Sequence, residues 1–180
     1  MKGIVFTALN DLVEAQFGME MWESILDQVH PESGGIYTSV EDFSDDELFA
    51  MVAALSEKTE ITQTDLLQVF GRYLFSVLIS RHPVFVDNEP DYFEFLKSID
   101  GVIHKEVNKL YTNPNLPQMD WQQDDPDQLI LSYTSPRKLC YLAVGLIEGA
   151  AAYYDTEIEF DHGPCMHEGA DACTFEIRRM

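Results

Sequence analysis

The sequence predicts an α+β chain, an N-terminal helical half joined to a C-terminal half that holds a small antiparallel sheet and a helix. Three observations carry this. From residue 4 to about Tyr111, apolar residues recur at helical spacing. Beyond the stiff Asn113-Pro-Asn-Leu-Pro117 connection, strand-like runs appear at Gln128–Tyr133, Thr156–Phe160 and Cys173–Arg178. Between the first two lies Pro136–Tyr154, a helix with Gly145, Gly149 and a run of alanines. A length of 180 residues and a hydrophobic content of 46% suit one globular domain over 1–180, with no internal repeat and no linker.

Ile4, Val5, Leu9, Leu12, Val13 and Phe17 share one face of a first helix. Gly18 breaks it, and Glu20–Val29 forms a second, with Trp22, Ile25 and Leu26 inward. His-Pro-Glu-Ser-Gly-Gly at 30–35 reads as a loop. Ser44-Asp-Asp-Glu47 reads as a capping box ahead of Leu48, Met51, Val52 and Leu55. Thr62 caps the next helix, which runs through Leu66, Phe70, Leu74 and Leu78 to His82-Pro83. Its wide apolar circumference predicts a central place. Residues 84–91 read as a loop, followed by one helix from Pro90 or Asp91 to about Tyr111. Cys173–Arg178 alternates as an exposed antiparallel strand would.

The formal charge of −21, from 32 acidic against 11 basic residues, argues against nucleic acid and against an anionic membrane surface. No apolar run is long enough to span a bilayer, and the N-terminus does not resemble a signal peptide. Three cysteines do not make a secreted disulfide framework. The expectation is a soluble cytoplasmic protein.

Tyr133, Ser135 and Arg137 alternate at a strand end, and Ser135-Pro136 has the form of a helix start, with a hydroxyl cap and proline at the first position. A phenol, a hydroxyl, free helix N–H groups and a guanidinium would suit a pair of ligand carboxylates. Upstream, His104 shares a helical face with Val107 and Tyr111, beside the stripe Ile103, Val107, Leu110. Gly101, one turn earlier, leaves room for a flat group. An isolated histidine is more often a bonded core residue. An imidazole beside an apolar wall is, however, the usual axial ligand of a haem iron. The Tyr133/Ser135/Arg137 set would hold the propionates of that haem, so the group would lie between the two halves.

On Met-Lys-Gly at the N-terminus, Ile103-His104 with Val107 and Leu110-Tyr111, Leu116-Pro117, Tyr133-x-Ser135-x-Arg137 and Gly145-Leu-Ile-Glu-Gly149, the chain resembles the H-NOX family. These are the haem nitric oxide/oxygen binding domains of bacterial gas sensors and soluble guanylate cyclase. The resemblance implies haem b with His104 as proximal ligand and Tyr133, Ser135 and Arg137 on the propionates. Val5 and Pro117 would press on the porphyrin and bend it. Oxygen-binding members resemble one another in a distal tyrosine, whose matching position here is Leu142. Leu9 and Leu74 match the other distal positions, and Leu146 pairs with Leu142 at i, i+4. The expected pocket is apolar, favouring NO and CO over O2, with Tyr73 and Tyr141 one residue off the pocket-facing positions. The family mechanism implies release of His104 on NO binding, relaxation of the haem and a rotation of the halves. A separate histidine kinase or cyclic-di-nucleotide enzyme would read the change, so the chain is not expected to be an enzyme itself. A peroxidase would need a distal acid–base group, which leucines deny.

All three cysteines, Cys140, Cys165 and Cys173, fall in the C-terminal half, and His162-Gly-Pro-Cys165 has chelating spacing. Spacing leaves a Cys3His zinc site and three free thiols both open, because Cys140 is remote in sequence. A subset of bacterial H-NOX proteins is similar in its His-x-x-Cys-Met-His-x-Gly-Ala-Asp-x-Cys ending, matched here from His162 to Cys173. That similarity implies zinc, oxidation sensitivity and, as a second function, a zinc/cysteine redox sensor. His167 would be a substitute ligand or a surface residue.

Overall fold

A computed structural model describes residues 1–110 and 115–180 of the chain, the Leu110 side chain excepted. The helical half begins with α1 (Gly3–Phe17), α2 (Met19–Val29), α3 (Asp45–Thr59) and α4 (Gln63–Arg81). These bury Phe6, Leu9, Ile25, Met51, Phe70 and their neighbours in one apolar core. Thr62 Oγ1 caps α4 by accepting from the Asp65 N–H at 3.2 Å. Ser44 likewise caps α3, accepting from Asp46 N–H at 3.2 Å. Glu47 does not complete the expected capping box. Its carboxylate accepts instead from Ser33 Oγ at 2.7 Å and Tyr37 Oη at 2.8 Å. It is buried at 8% exposure and fastens the loop after α2 to α3, because hydroxyl donors there outcompete a local bond.

Residues 84–91 are not all loop, since Val84–Asp87 closes one turn, α5. The single helix expected up to Tyr111 is three pieces. α6 (Tyr92–Ser98) is capped by Asp91, a π-turn covers Ile99–Ile103, and α7 begins at His104 and runs to Leu110. Tyr111, Asn113 and Pro114 lie outside the described residues.

The C-terminal half adds β1 (Gln118–Asp125), β2 (Gln128–Thr134), α8 (Cys140–Tyr153), β3 (Ile158–His162) and β4 (Cys173–Arg179). The four strands form one antiparallel sheet in the order β1-β2-β4-β3. β1 was not expected, as Gln-Met-Asp-Trp-Gln-Gln-Asp-Asp has no β-branched residue and only Met119 is buried. β4 is interior rather than exposed, with Cys173, Phe175 and Ile177 buried against α8 and its partners.

α4 and α8 make the most extensive contact between helices. The crossing joins the two cores: α4 sends Phe75 into the sheet core, and α8 sends Leu142 into the helical core. Close approach requires glycine at Gly71 and Gly145, where a Cβ would lie 2.3 Å from the Leu142 carbonyl oxygen and 2.1 Å from that of Gln68.

Candidate haem cavity and thiol cluster

Between the cores lies a largely apolar cavity of about 320 Å³. His104, Tyr133, Ser135 and Arg137 all line it, as do Val5, Pro117, Leu142 and Leu146. Residues remote in sequence therefore converge, and the π-turn sets how. His104 Nδ1 sits 3.2 Å from Asp100 Oδ1, one turn back, so Nε2 is the ring nitrogen left for a ligand. Burial pushes the imidazole's pKa below its ordinary value, and the Asp100 carboxylate opposes this only in part. A neutral imidazole held by a carboxylate is what metal ligation needs. The extra residue in the π-turn puts Ile99 and Ile103 on the cavity with His104. It also rotates Gly101 outward: that residue is exposed, a Cβ there would meet open space, and the flat-group role expected for it is not supported.

Ser135-Pro136 does not start a helix. Lys138 N–H donates to the Ser135 carbonyl at 3.1 Å and Lys138 is left-handed, closing a turn before α8 starts at Cys140. The free helix N–H groups expected at Ser135 are therefore absent, and Ser135 Oγ accepts from Arg137 N–H at 3.3 Å. Tyr133 is almost fully buried, and burial pushes its phenol up to about 12. Arg137 Nε donates to Asp45 Oδ2 at 2.6 Å, and Asp45 Oδ1 lies 2.8 Å from the N-terminal ammonium. Burial would raise the Asp45 carboxyl, but these two cations outweigh it and hold it below its ordinary value. Asp45 is a site neighbour that sequence reading missed, having spent that acidic run on helix capping alone. His82, read only as a helix end, also lines the cavity.

Leu9 and Leu74, expected as distal pocket residues, are not among the described lining residues. Both are buried in the helical core, while Val5 and Leu78, one turn away from each, reach the cavity. Neither Tyr73 nor Tyr141 lines it. Tyr141 packs instead beside His162 and His167, with ring centroids 5.3 and 6.0 Å away.

Behind Tyr133, the β2–β4 register pairs that residue with Cys173, and the turn before α8 brings in Cys140. The ligand atoms of Cys140, His162, Cys165 and Cys173 all lie within 4.8 Å of one another. The Sγ separations are 3.8 Å for Cys140–Cys165 and 3.7 Å for Cys173–Cys165. His162 Nε2 is buried with no hydrogen-bond partner among the described residues. His167 is exposed and its Nε2 meets the Lys138 carbonyl at 2.8 Å, so it is the surface residue of the two alternatives.

Comparison with known proteins agrees with this geometry. A protein-family model described as haem-NO-binding matches residues 2–162. The chain belongs to the haem-NO-binding family. An H-NOX protein from S. oneidensis, solved in the Fe(II)NO ligation state, superposes with a TM-score of 0.95 at 39% identity, over 100% of this chain and 99% of that one. The unliganded Fe(II) H-NOX protein from K. algicida gives 0.93 at 31%, over 100% and 97%. The curated relative soluble guanylate cyclase gcy-32 from Caenorhabditis elegans is 23% identical over 164 residues, 88% of this chain but only 24% of its own length. No described helix is long and apolar enough to cross a membrane.

The cavity fits the group this family binds. A haem needs one imidazole, apolar walls and a cationic, hydroxylated rim for its carboxylates. Here the Arg137 guanidinium already donates to one carboxylate, that of Asp45.

Proposed function

We propose that residues 1–180 act as one haem-binding unit, a cytoplasmic gas sensor without catalysis of its own. It takes NO or CO, discriminates against O2 and regulates a separate signalling protein, a histidine kinase or a cyclic-di-nucleotide enzyme. The observation that carries this reading is a single apolar cavity collecting His104 and the Tyr133/Ser135/Arg137 set. Haem b bound there would supply a ferrous iron able to take a diatomic gas. His104 Nε2 would be its protein ligand, Tyr133, Ser135 and Arg137 would hold the propionates, and Val5 and Pro117 would press on the macrocycle.

Leu142 and Leu146 support the choice of gas. Bound O2 carries partial negative charge and gains from a hydrogen-bond donor, which leucine lacks, whereas NO and CO need little such help. Release of His104 would free the π-turn and α7 and let the two halves rotate slightly relative to each other. A partner senses this only if it binds the two states with different affinity. The test is the absorption spectrum of the ferrous, anaerobic protein, before and after NO and then in air. A five-coordinate His-ligated Soret band that moves with NO and forms no stable oxy species is expected. A purified protein that has no Soret band and cannot take up haemin would sink the reading.

A second reading has its own observation in the thiol cluster. Tetrahedral zinc with Zn–S near ~2.3 Å demands S···S edges of about 3.8 Å, and the cluster shows 3.8 and 3.7 Å. His162 Nε2, buried without a hydrogen-bond partner among the described residues, would supply the fourth donor. Zinc there would make the cluster structural, or a redox sensor that loses its ion when two thiolates are oxidised to a disulfide by a peroxide. Zinc analysis before and after peroxide separates these outcomes.

A further inference from the structure

β1 is an edge strand, and the side of it that carries Met119 into the cavity continues past the cavity as Trp121 and Gln123. Trp121 is 52% exposed, while the protein's other tryptophan, Trp22, is 6% exposed. Beside it opens a cleft of about 450 Å³ lined by the four carboxylates of Asp91, Glu94, Asp124 and Asp125, one cation, Arg179, and Gln123, with Phe93 and Pro126 as apolar walls. Glu94 joins the two features: it pairs with Lys97 at 2.7 Å, and Lys97 Nζ lies over the Trp121 ring, 5.2 Å from its centroid. Arg179 repeats the arrangement at the other end, with its guanidinium 4.0 Å from the Phe93 ring centroid and 2.6 Å from Asp91.

We propose that this strip, Trp121 with the acidic cleft next to it, is the docking surface for a lysine- or arginine-bearing segment of the partner protein. The proposal deepens the reading of the chain as a regulator of a separate protein, and rests on it. Lys97 and Arg179 each satisfy an aromatic face and a carboxylate together, and the exposed part of Trp121 with Asp124 and Asp125 leaves the same pairing for a partner's basic side chain. Asp120, Asp124 and Asp125 are exposed and extend the negative field along the strand. A second copy of a chain at −21 would meet like charge there. The strip is also placed to report on the site. α6 contributes Glu94 and Lys97, and it runs through the π-turn directly into His104, while β1 contributes Trp121. Movement of α7 would therefore change the two sides of the strip relative to each other.

The experiment uses the holoprotein and, as probe, a short dye-labelled peptide of alternating arginine and glycine, followed by fluorescence anisotropy at near-physiological salt. Trp121→Ala should weaken binding about tenfold, the range of a partly desolvated cation–π contact. The double change Asp124→Asn with Asp125→Asn should do about the same. Glu20→Gln with Glu23→Gln removes equal charge from exposed positions on α2 and should change it less than about twofold. Equal losses from both charge pairs, or a Trp121→Ala protein that binds as before, would overturn the proposal. The Soret band of the same samples tests the haem reading separately. Its absence beside an intact peptide pattern would sink the sensor and leave the surface standing, and the reverse would sink the surface alone.

Discussion

The cavity and the thiol cluster both border Tyr133, yet they are built in contrasting ways. The cavity draws its polar groups from the start of α7, the end of β2 and the turn before α8, among others, and leaves open apolar space among them. The cluster brings four ligand atoms within 4.8 Å and leaves no room for more than a single ion. The first leaves space suited to a planar apolar group. The second brings together donors suited to a small cation, from α8, β3, β4 and the turn between those strands.

The largest expected effect separates the two sites outright. His104→Gly should abolish the imidazole-ligated Soret spectrum and leave zinc content unchanged, and added imidazole should restore the band. Loss of zinc in this variant would show that the sites are not independent. Cys165→Ser should do the reverse. Bound zinc is lost by metal analysis, the thermal midpoint falls by about 10 °C, and the haem spectrum persists.

A smaller effect tests packing at the crossing between α4 and α8. Gly145→Ala forces a Cβ to within 2.1 Å of the Gln68 carbonyl oxygen, and should cost about 2 kcal/mol in urea unfolding. Gly101→Ala, facing open space, should be neutral within ~0.5 kcal/mol. Equal costs would mean the crossing is not tightly packed.

The smallest effect concerns acid. Asp45 has a folded pKa below its ordinary value, held there against burial by Arg137 and the N-terminal ammonium. It therefore adds stability above the usual carboxylate pKa of about 4, lost as pH falls through the folded value. Asp45→Asn should lower stability at neutral pH and flatten its decline below about pH 4. An unchanged acid limb would mean the pairing contributes nothing.

Much of this molecule could be read along the chain. Period and caps located α1 to α4, because their apolar faces and the Ser44 and Thr62 hydroxyls act within a few residues. The alternation of Tyr133, Ser135 and Arg137 was equally local, as was the two-residue gap of His162-Gly-Pro-Cys165. β1 escaped because its hydrogen bonds to β2, not its side chains, make it a strand.

The sequence by itself determined the fold class, the polar residues that the structure gathers at the cavity apart from Asp45 and His82, the four residues of the thiol cluster, and the resemblance that links them. Those properties depend on residue type and short spacing, which the linear chain displays in full. Only the tertiary structure decided the rest. The π-turn set the facing of His104 and turned Gly101 outward, and a left-handed Lys138 delayed α8 so that Cys140 reached Cys165 and Cys173. Asp45 met Arg137 across 92 positions of chain. Such facts rest on backbone rotation and on contacts between distant segments, and no local pattern encodes them.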